Sequence, residues 1–277
     1  MITSSQNPKL KLVRSLMGRA KERREANAFV VEGVRLVEEA VNADWKFQFA
    51  LYSDGLSERG KDLVNKLLAR RIDTEEVSGD LLQKLSDTET PQGVLAVLEL
   101  TQLPITNNPN FILIPDQIRD PGNLGALLRS AAATGVQAVL LPPETTDAFA
   151  PKVLRSGMGA HFRLPIREMT WEEIEQVCKS ANEQMSKAAN EQVGKSGSLQ
   201  MYIADMNGTS CWEIDLRKPL ALIIGGEAEG ASGEARKLAD GQISIPMAGN
   251  VESLNAGVAG SVLMFEVVRQ RSVSSKQ

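Results

Sequence analysis

The chain has 277 residues, 42% hydrophobic and 24% charged, with a formal net charge of −4 at pH 7. That is enough apolar material to bury a core in one large domain or two smaller ones, and the acidic balance argues against a general polyanion binder. His161 is the one histidine, and Cys178 and Cys211 lack CxxC spacing or a histidine beside them, so neither a zinc site nor a Ser-His-Asp triad is expected. The first residues, Met1-Ile2-Thr3-Ser4-Ser5-Gln6, lack the apolar run of a signal peptide, and no stretch reaches the ~18 apolar residues of a membrane span. A cytoplasmic protein without membrane or metal partners is the expectation.

The average charge hides two basic islands. Residues 1–24 carry Lys9, Lys11, Arg14, Arg19, Lys21, Arg23 and Arg24 against one acid, Glu22; residues 148–167 carry Lys152, Arg155, Arg163 and Arg167 against none. Solvated helix faces give the same pattern, but two such islands in an acidic chain point to phosphate contact. Arg14, Arg19, Arg23, Arg24 and Arg155 are the candidates.

In chain order, residues 7–24 predict an amphipathic basic helix, with Leu10, Val13, Leu16 and Met17 on one side. Strands are expected at 29–31, 47–52 and 93–98, with helices at 34–41 and 60–71 between them and the run 81–85 ahead of the last strand. The Pro- and Asn-rich run 103–110 reads as a linker, which divides the chain into 1–103 and 104–277. Beyond it strands at 111–115, 136–141, 201–204, 220–224 and 242–245 alternate with helices at 124–134, 150–156 and 171–189. That is the pattern of an α/β domain with a parallel sheet. Gly135 stops one helix, a last helix is expected over 253–271, and the polar run 182–198 reads as a mobile surface segment.

Three segments at strand ends could carry chemistry, because open α/β sheets place their ligand sites there. In Asp116-Gln117-Ile118-Arg119-Asp120-Pro121-Gly122-Asn123-Leu124-Gly125-Ala126-Leu127-Leu128-Arg129, turn chemistry with Asn123 as helix cap accounts for the Pro, Gly and Asn, but not for Arg129. Ile224-Gly225-Gly226-Glu227-Ala228-Glu229-Gly230 does not fit the GxGxxG spacing of a dinucleotide site, so a nicotinamide cofactor is excluded. In Ile245-Pro246-Met247-Ala248-Gly249-Asn250-Val251-Glu252-Ser253-Leu254-Asn255-Ala256-Gly257-Val258-Ala259-Gly260, Ser253 reads as a cap. Gly257 and Gly260 inside a helix each cost ~1 kcal/mol relative to Ala, which implies a close backbone approach.

Together, and in this order, the three segments resemble the Asn-x-Gly-x-x-x-Arg, Gly-x-Glu-x-x-Gly and Ile-Pro-Met…Ser-Leu-Asn motifs of the SpoU (TrmH-type) branch of the SPOUT RNA 2′-O-ribose methyltransferases. Asn7-Pro8, Phe29-Val30-Val31-Glu32-Gly33 and Pro91-Gln92-Gly93-Val94-Leu95-Ala96 resemble the small ribosomal-protein-like RNA-binding domain that precedes the catalytic domain in that family. The resemblance implies a SPOUT-type parallel sheet with a C-terminal trefoil knot, and S-adenosylmethionine as cofactor. It further implies an RNA partner, ribosomal RNA ahead of transfer RNA, and a homodimer. Arg129 is then the catalytic residue, with Asn123, Glu227, Ser253 and Asn255 shaping the site. Gly226, Gly230, Ile224, Ile245, Met247 and Leu254 would line the cofactor, largely through backbone groups. Arginine stays protonated in proteins, so Arg129 is read as orienting the ribose and its phosphate while stabilising a developing alkoxide, with Ser253 and Asn255 holding the hydroxyl in line. A non-catalytic RNA-binding protein and a tRNA-directed enzyme are the alternatives, and the retained Asn123, Arg129, Ser253 and Asn255 count against the first.

For the last helix, Leu254, Val258, Val262 and Phe265 form one apolar stripe, and Ala259, Leu263 and Val267 broaden it beyond a one-sided surface helix. That width, with the two glycines, is the sequence basis for expecting a dimer through this helix.

Overall fold

A computed structural model describes residues 1–88, 90–191, 198–227, 229–249 and 253–274. The chain forms two compact units: Met1–Thr101 with Asp147–Phe162, and Gln102–Thr146 with Arg163–Gln277. A contiguous division at 103/104 therefore needs one correction, since 147–162 packs with the first unit. The cause is local. Phe149 lies 4.9 Å from the Phe29 ring, Phe162 lies 5.3 Å from Trp45, and Asp147 takes the buried Arg23 guanidinium at 2.6 Å.

The first unit begins with α1 (Pro8–Gly18) and α2 (Ala20–Glu25), where one helix was expected. Asn7 caps α1 by accepting from the Lys9 amide, Pro8 opens it, and the extended backbone of Arg19 (φ −95°, ψ 145°) interrupts the run. There follow β1 (Ala28–Glu32), α3 (Val34–Asn42), β2 (Phe47–Tyr52), α4 (Glu58–Ala69), β3 (Thr74–Glu76), α5 (Gly79–Leu85) and β4 (Val94–Glu99). The sheet order is β1-β4-β2-β3, with β4 antiparallel to β1 and β2. Leu10, Val13 and Leu16 of α1 close its core against Val30, Phe49, Leu51, Leu95 and Val97. The three residues of β3 are half-exposed and too few to show alternation, so only their parallel pairing with β2 defines them.

The second unit runs through β5 (Phe111–Pro115), α6 (Pro121–Thr134) and β6 (Ala138–Leu141). After α7 (Pro151–Gly157) and a 3-10 turn in the first unit, it resumes with β7 (Ile166–Glu168), α8 (Trp171–Glu191), β8 (Gln200–Ser210), β9 (Leu220–Ile224), α9 (Gly233–Leu238), β10 (Gly241–Ser244) and α10 (Ala256–Ser274). Six parallel strands lie in the order β10-β8-β9-β5-β6-β7. Every residue of β5 and β9 is buried, as strands covered on both faces require. Gly135 ends α6 in the left-handed region at φ 74°. Of the run 182–198, residues through Glu191 continue α8, and 192–197 lie outside the described residues. Strand β10 is an edge strand, yet α10 after it packs on α6 and β9 in the middle of the sheet. That return is consistent with the expected knot.

Candidate functional site

The three motif segments leave the sheet at its C-terminal edge. Strands β5 and β9 are paired there, Pro115 opposite Ile224, so the loops that follow them are neighbours. In the first loop the cap of α6 is Asp120, whose Oδ1 accepts from the Asn123 amide at 2.8 Å, with Pro121 as first helical residue. Asn123 is therefore not the cap, and its side chain is available for something else.

In the second loop Gly226 and Gly230 exchange backbone hydrogen bonds of 3.0 and 3.1 Å, forming a tight bridge that carries exposed Glu227. A Cβ at Gly225 would stand 2.3 Å from the Ala231 nitrogen, and one at Gly226 would stand 2.6 Å from the Gln117 carbonyl oxygen. Both positions therefore require glycine. The loop is pinned from below by Asp116, which is fully buried. Its Oδ2 accepts from the Ser232 amide at 2.6 Å, and its own N–H donates to the Ile224 carbonyl at 2.8 Å. Burial raises the Asp116 pKa, the Ser232 hydrogen bond opposing it, and its Oδ1 has no hydrogen-bond partner among the described residues. Sequence reasoning passed over Asp116; the available signal was an acid directly after five apolar strand residues.

The third segment brings the motifs together. Helix α10 starts at Ala256, so the cap is Asn255 and not Ser253. The Asn255 Oδ1 accepts from the Val258 amide at 3.2 Å, and its backbone carbonyl accepts from Ala259 at 2.8 Å. Asn255 Nδ2 donates to Asn123 Oδ1 at 2.8 Å, and Asn123 Nδ2 donates to Glu227 Oε1 at 2.5 Å. The carboxylate can only accept, which fixes the Asn123 amide and in turn requires Asn255 to donate. One chain of three polar side chains thus ties the three loops in a single sense.

Other expected site residues are placed less directly. Arg129 is exposed on α6, and Ser253 is exposed ahead of α10; among the described residues neither is hydrogen-bonded to the Asn255-Asn123-Glu227 chain. Gly226, Gly230, Ile245 and Leu254 are half-buried, and Met247 is exposed. Residues 245–249 leave β10 and, among the described residues, their peptide groups take no part in helix or strand pairing. Ile224 is a correction: it is buried, its carbonyl is taken by Asp116, and its side chain would meet a Cβ at Gly260 at 3.1 Å, so it supports the site from beneath. The glycines of α10 also differ from expectation. Their close neighbours are Asn123 and Ala126 at Gly257 and Leu127 at Gly260, all on α6 of the same chain.

Two candidate phosphate contacts are also corrected. Arg23 is 3% exposed, donating to the Leu16 carbonyl at 2.6 Å and paired with Asp147, which makes it a structural strut. Arg155 is paired with Asp87 at 2.7 Å and sits 3.9 Å from Glu32. Arg14, Arg19 and Arg24 remain exposed.

A parallel sheet whose C-terminal edge gathers a glycine bridge, backbone outside helix and strand, and an Asn-Asn-Glu chain is the arrangement that the resemblance to the SPOUT methyltransferases implies. Peptide groups outside helix and strand fit a cofactor recognised through the backbone. The family model described as "SpoU rRNA Methylase family" matches residues 110–265, and that described as "MRM3-like substrate binding domain" matches residues 7–96. The chain belongs to the SpoU rRNA methylase family. It is 33% identical to an uncharacterized tRNA/rRNA methyltransferase of Synechocystis, over 99% of this chain and 95% of that one. It is 32% identical to the 23S rRNA (guanosine(2553)-2′-O)-methyltransferase RlmP of Bacillus subtilis, over 96% of this chain and 98% of that one. Among solved structures, the SpoU methyltransferase AviRb of Streptomyces viridochromogenes in complex with the cofactor AdoMet is similar with a TM-score of 0.78 at 30% identity, over 96% of this chain and 100% of that one.

Proposed function

We propose that this chain is an S-adenosylmethionine-dependent methyltransferase acting on a ribose 2′-hydroxyl of ribosomal RNA. The observation that carries the reading is the hydrogen-bonded chain Asn255-Asn123-Glu227, which joins all three family motifs at one sheet edge. The relative named above as a 23S rRNA 2′-O-methyltransferase, and the AdoMet-bound AviRb structure, support the substrate and cofactor.

S-adenosylmethionine supplies an electrophilic methyl group on a sulfonium, so the protein's share of the work is positioning and stabilisation of the hydroxyl that attacks it. The peptide groups of Ile245, Met247 and Leu254 would hold the cofactor, with the Gly226–Gly230 bridge, whose own N–H and C=O groups are paired with each other, as a wall beside it. Arg129, permanently cationic and exposed, orients the ribose-phosphate and stabilises the developing alkoxide. Both polar atoms of the Asn255 side chain are engaged, so it acts chiefly as a strut, and the exposed Ser253 hydroxyl is the freer group for holding the ribose.

The protein acts as a homodimer through α10. Val258, Val262 and Phe265 are 50%, 41% and 52% exposed, whereas Leu263, Met264 and Val267 on its other face are buried in their own unit. The test is to map 2′-O-methyl positions across ribosomal and transfer RNA with and without the protein, and to assay transfer from labelled S-adenosylmethionine. Loss of one rRNA position is expected. Loss confined to tRNA would move the substrate, and no loss with no transfer would leave a non-catalytic RNA-binding protein.

A further inference from the structure

The first unit contains a cavity of about 340 Å³ that the methyl-transfer site does not use, lined in part by Leu36, Thr90, Gln92, Arg155 and Met158. It opens beside the start of α3. Gly33 precedes that helix at φ 94°, and the Val34 amide donates to Gln92 Oε1 at 2.8 Å. This bond fixes the Gln92 side chain and leaves its amide Nε2 as a donor on the cavity wall. Arg155, paired with Asp87 and 3.9 Å from Glu32, forms part of the wall.

The acidic groups on the wall are already engaged. Glu32, whose side chain is 7% exposed, accepts from Ser86 Oγ and from Thr88 Oγ1 at 2.9 Å, and Glu39 also has partners. What remains open is donor capacity: Gln92 Nε2, the Thr90 hydroxyl and exposed Arg35 at the rim. Leu36 and Met158 supply an apolar surface. A ligand for this cavity presents a flat apolar face and an edge of hydrogen-bond acceptors, with a negative group near Arg35 and the first turn of α3. The volume lies at the low end of the range of small-ligand sites, about 300–1,000 Å³. RNA bases turned out of a stack are recognised in this manner, by packing on one face and hydrogen bonding along an edge.

We infer that this cavity holds one unstacked nucleotide of the RNA substrate, with its base against Leu36 and Met158, its acceptor edge on Gln92 and Thr90, and its phosphate toward Arg35. The inference rests on the reading of the protein as an rRNA methyltransferase, and it adds a second RNA contact in the first unit, which fixes which RNA is taken.

Two variants test it. Gln92→Glu keeps an oxygen for the Val34 amide and replaces the amide donor with an acceptor; Thr90→Trp fills the mouth from an exposed position. Thermal melts show whether each folds, and if Gln92→Glu does not, Thr90→Trp decides. The expected result is a rise of about tenfold or more in the KM for rRNA and a matching loss of rRNA retention on filters, with kcat and S-adenosylmethionine affinity unchanged. Wild-type KM and retention in the folded variants would overturn the subsite while leaving the methyltransferase reading intact. If the wild-type protein transfers no methyl group, that reading falls and filter retention alone judges the cavity. Calorimetry with the four nucleoside 5′-monophosphates separates the remaining case: tight binding abolished by Gln92→Glu, with the KM for rRNA unmoved, would make this a free-nucleotide site and overturn its assignment to RNA.

Discussion

At the scale of single residues, the site is a set of side chains with fixed hydrogen-bond polarity. Glu227 accepts from Asn123, so Asn123 must turn its carbonyl to Asn255. Asn255→Asp keeps the oxygen that caps α10 but cannot donate to Asn123, so stability should hold while methyl transfer falls. Asn255→Ala should lose transfer and about 1 kcal/mol of stability with the cap. Chemical denaturation beside a transfer assay separates the two, and equal stability losses would show that the cap, not the chain, is what matters. Arg129 is exposed and stands apart from that chain, which suits a group that meets RNA and not the fold. Arg129→Ala should reduce transfer about 100-fold or more while S-adenosylmethionine still binds, as for loss of a group that stabilises developing charge. Near-normal turnover would remove Arg129 from the mechanism.

At the scale of elements, α10 is apolar on two sides for two different reasons. One side packs within its own unit, where Gly260 lets Leu127 of α6 approach so closely that a Cβ would stand 2.3 Å from Leu127 Cδ2. Gly260→Ala should therefore cost about 1–3 kcal/mol through overpacking, measurable by thermal melting. The other side, Val258, Val262 and Phe265, is exposed in the single chain. Val258→Glu combined with Phe265→Glu should convert a dimer to a folded monomer in sedimentation velocity. A wild-type protein that sediments as a fully active monomer would refute the interface. The sequence stripe was correctly apolar, but its glycines were read as meeting a partner when they meet α6, because helical periodicity reports that a face is covered and not by what.

At the scale of the whole molecule, charge and pH both report on the first unit. Neutralising Arg14, Arg19 and Arg24 together should weaken RNA binding and reduce its salt slope by about 2, if each contacts a phosphate; an unchanged slope would return these residues to solvent. Arg23 is left out of that set because it is buried against Asp147. His161 is buried, with Nε2 donating to the Ala148 carbonyl at 2.8 Å, and burial pushes its pKa down to about 4 from 6.5. Between about pH 4 and 6.5 the ring is therefore neutral in the folded state and charged in the unfolded one. The stability linked to this group is fully present above pH 6.5 and lost as pH falls toward 4, a change of about 3 kcal/mol. The acid limb of a pH-stability curve should flatten in His161→Phe, and an unchanged limb would place the acid sensitivity elsewhere. The chain by itself determined the alternation of strands and helices, the linker near residue 103, and the three motif loops, because apolar period, turn residues and local spacing are written in order along it. Only the tertiary structure decided that 147–162 packs with the first unit, that Asn255 and Asp120 are the caps, that Asp116 anchors the glycine bridge, and that Arg23 is buried. The two caps have partners only three residues on, and what the structure decided there is the helix start; the others depend on a partner distant along the chain, Asp116 and Ser232 being 116 residues apart, and a one-dimensional pattern carries no term for which distant group will satisfy a buried charge.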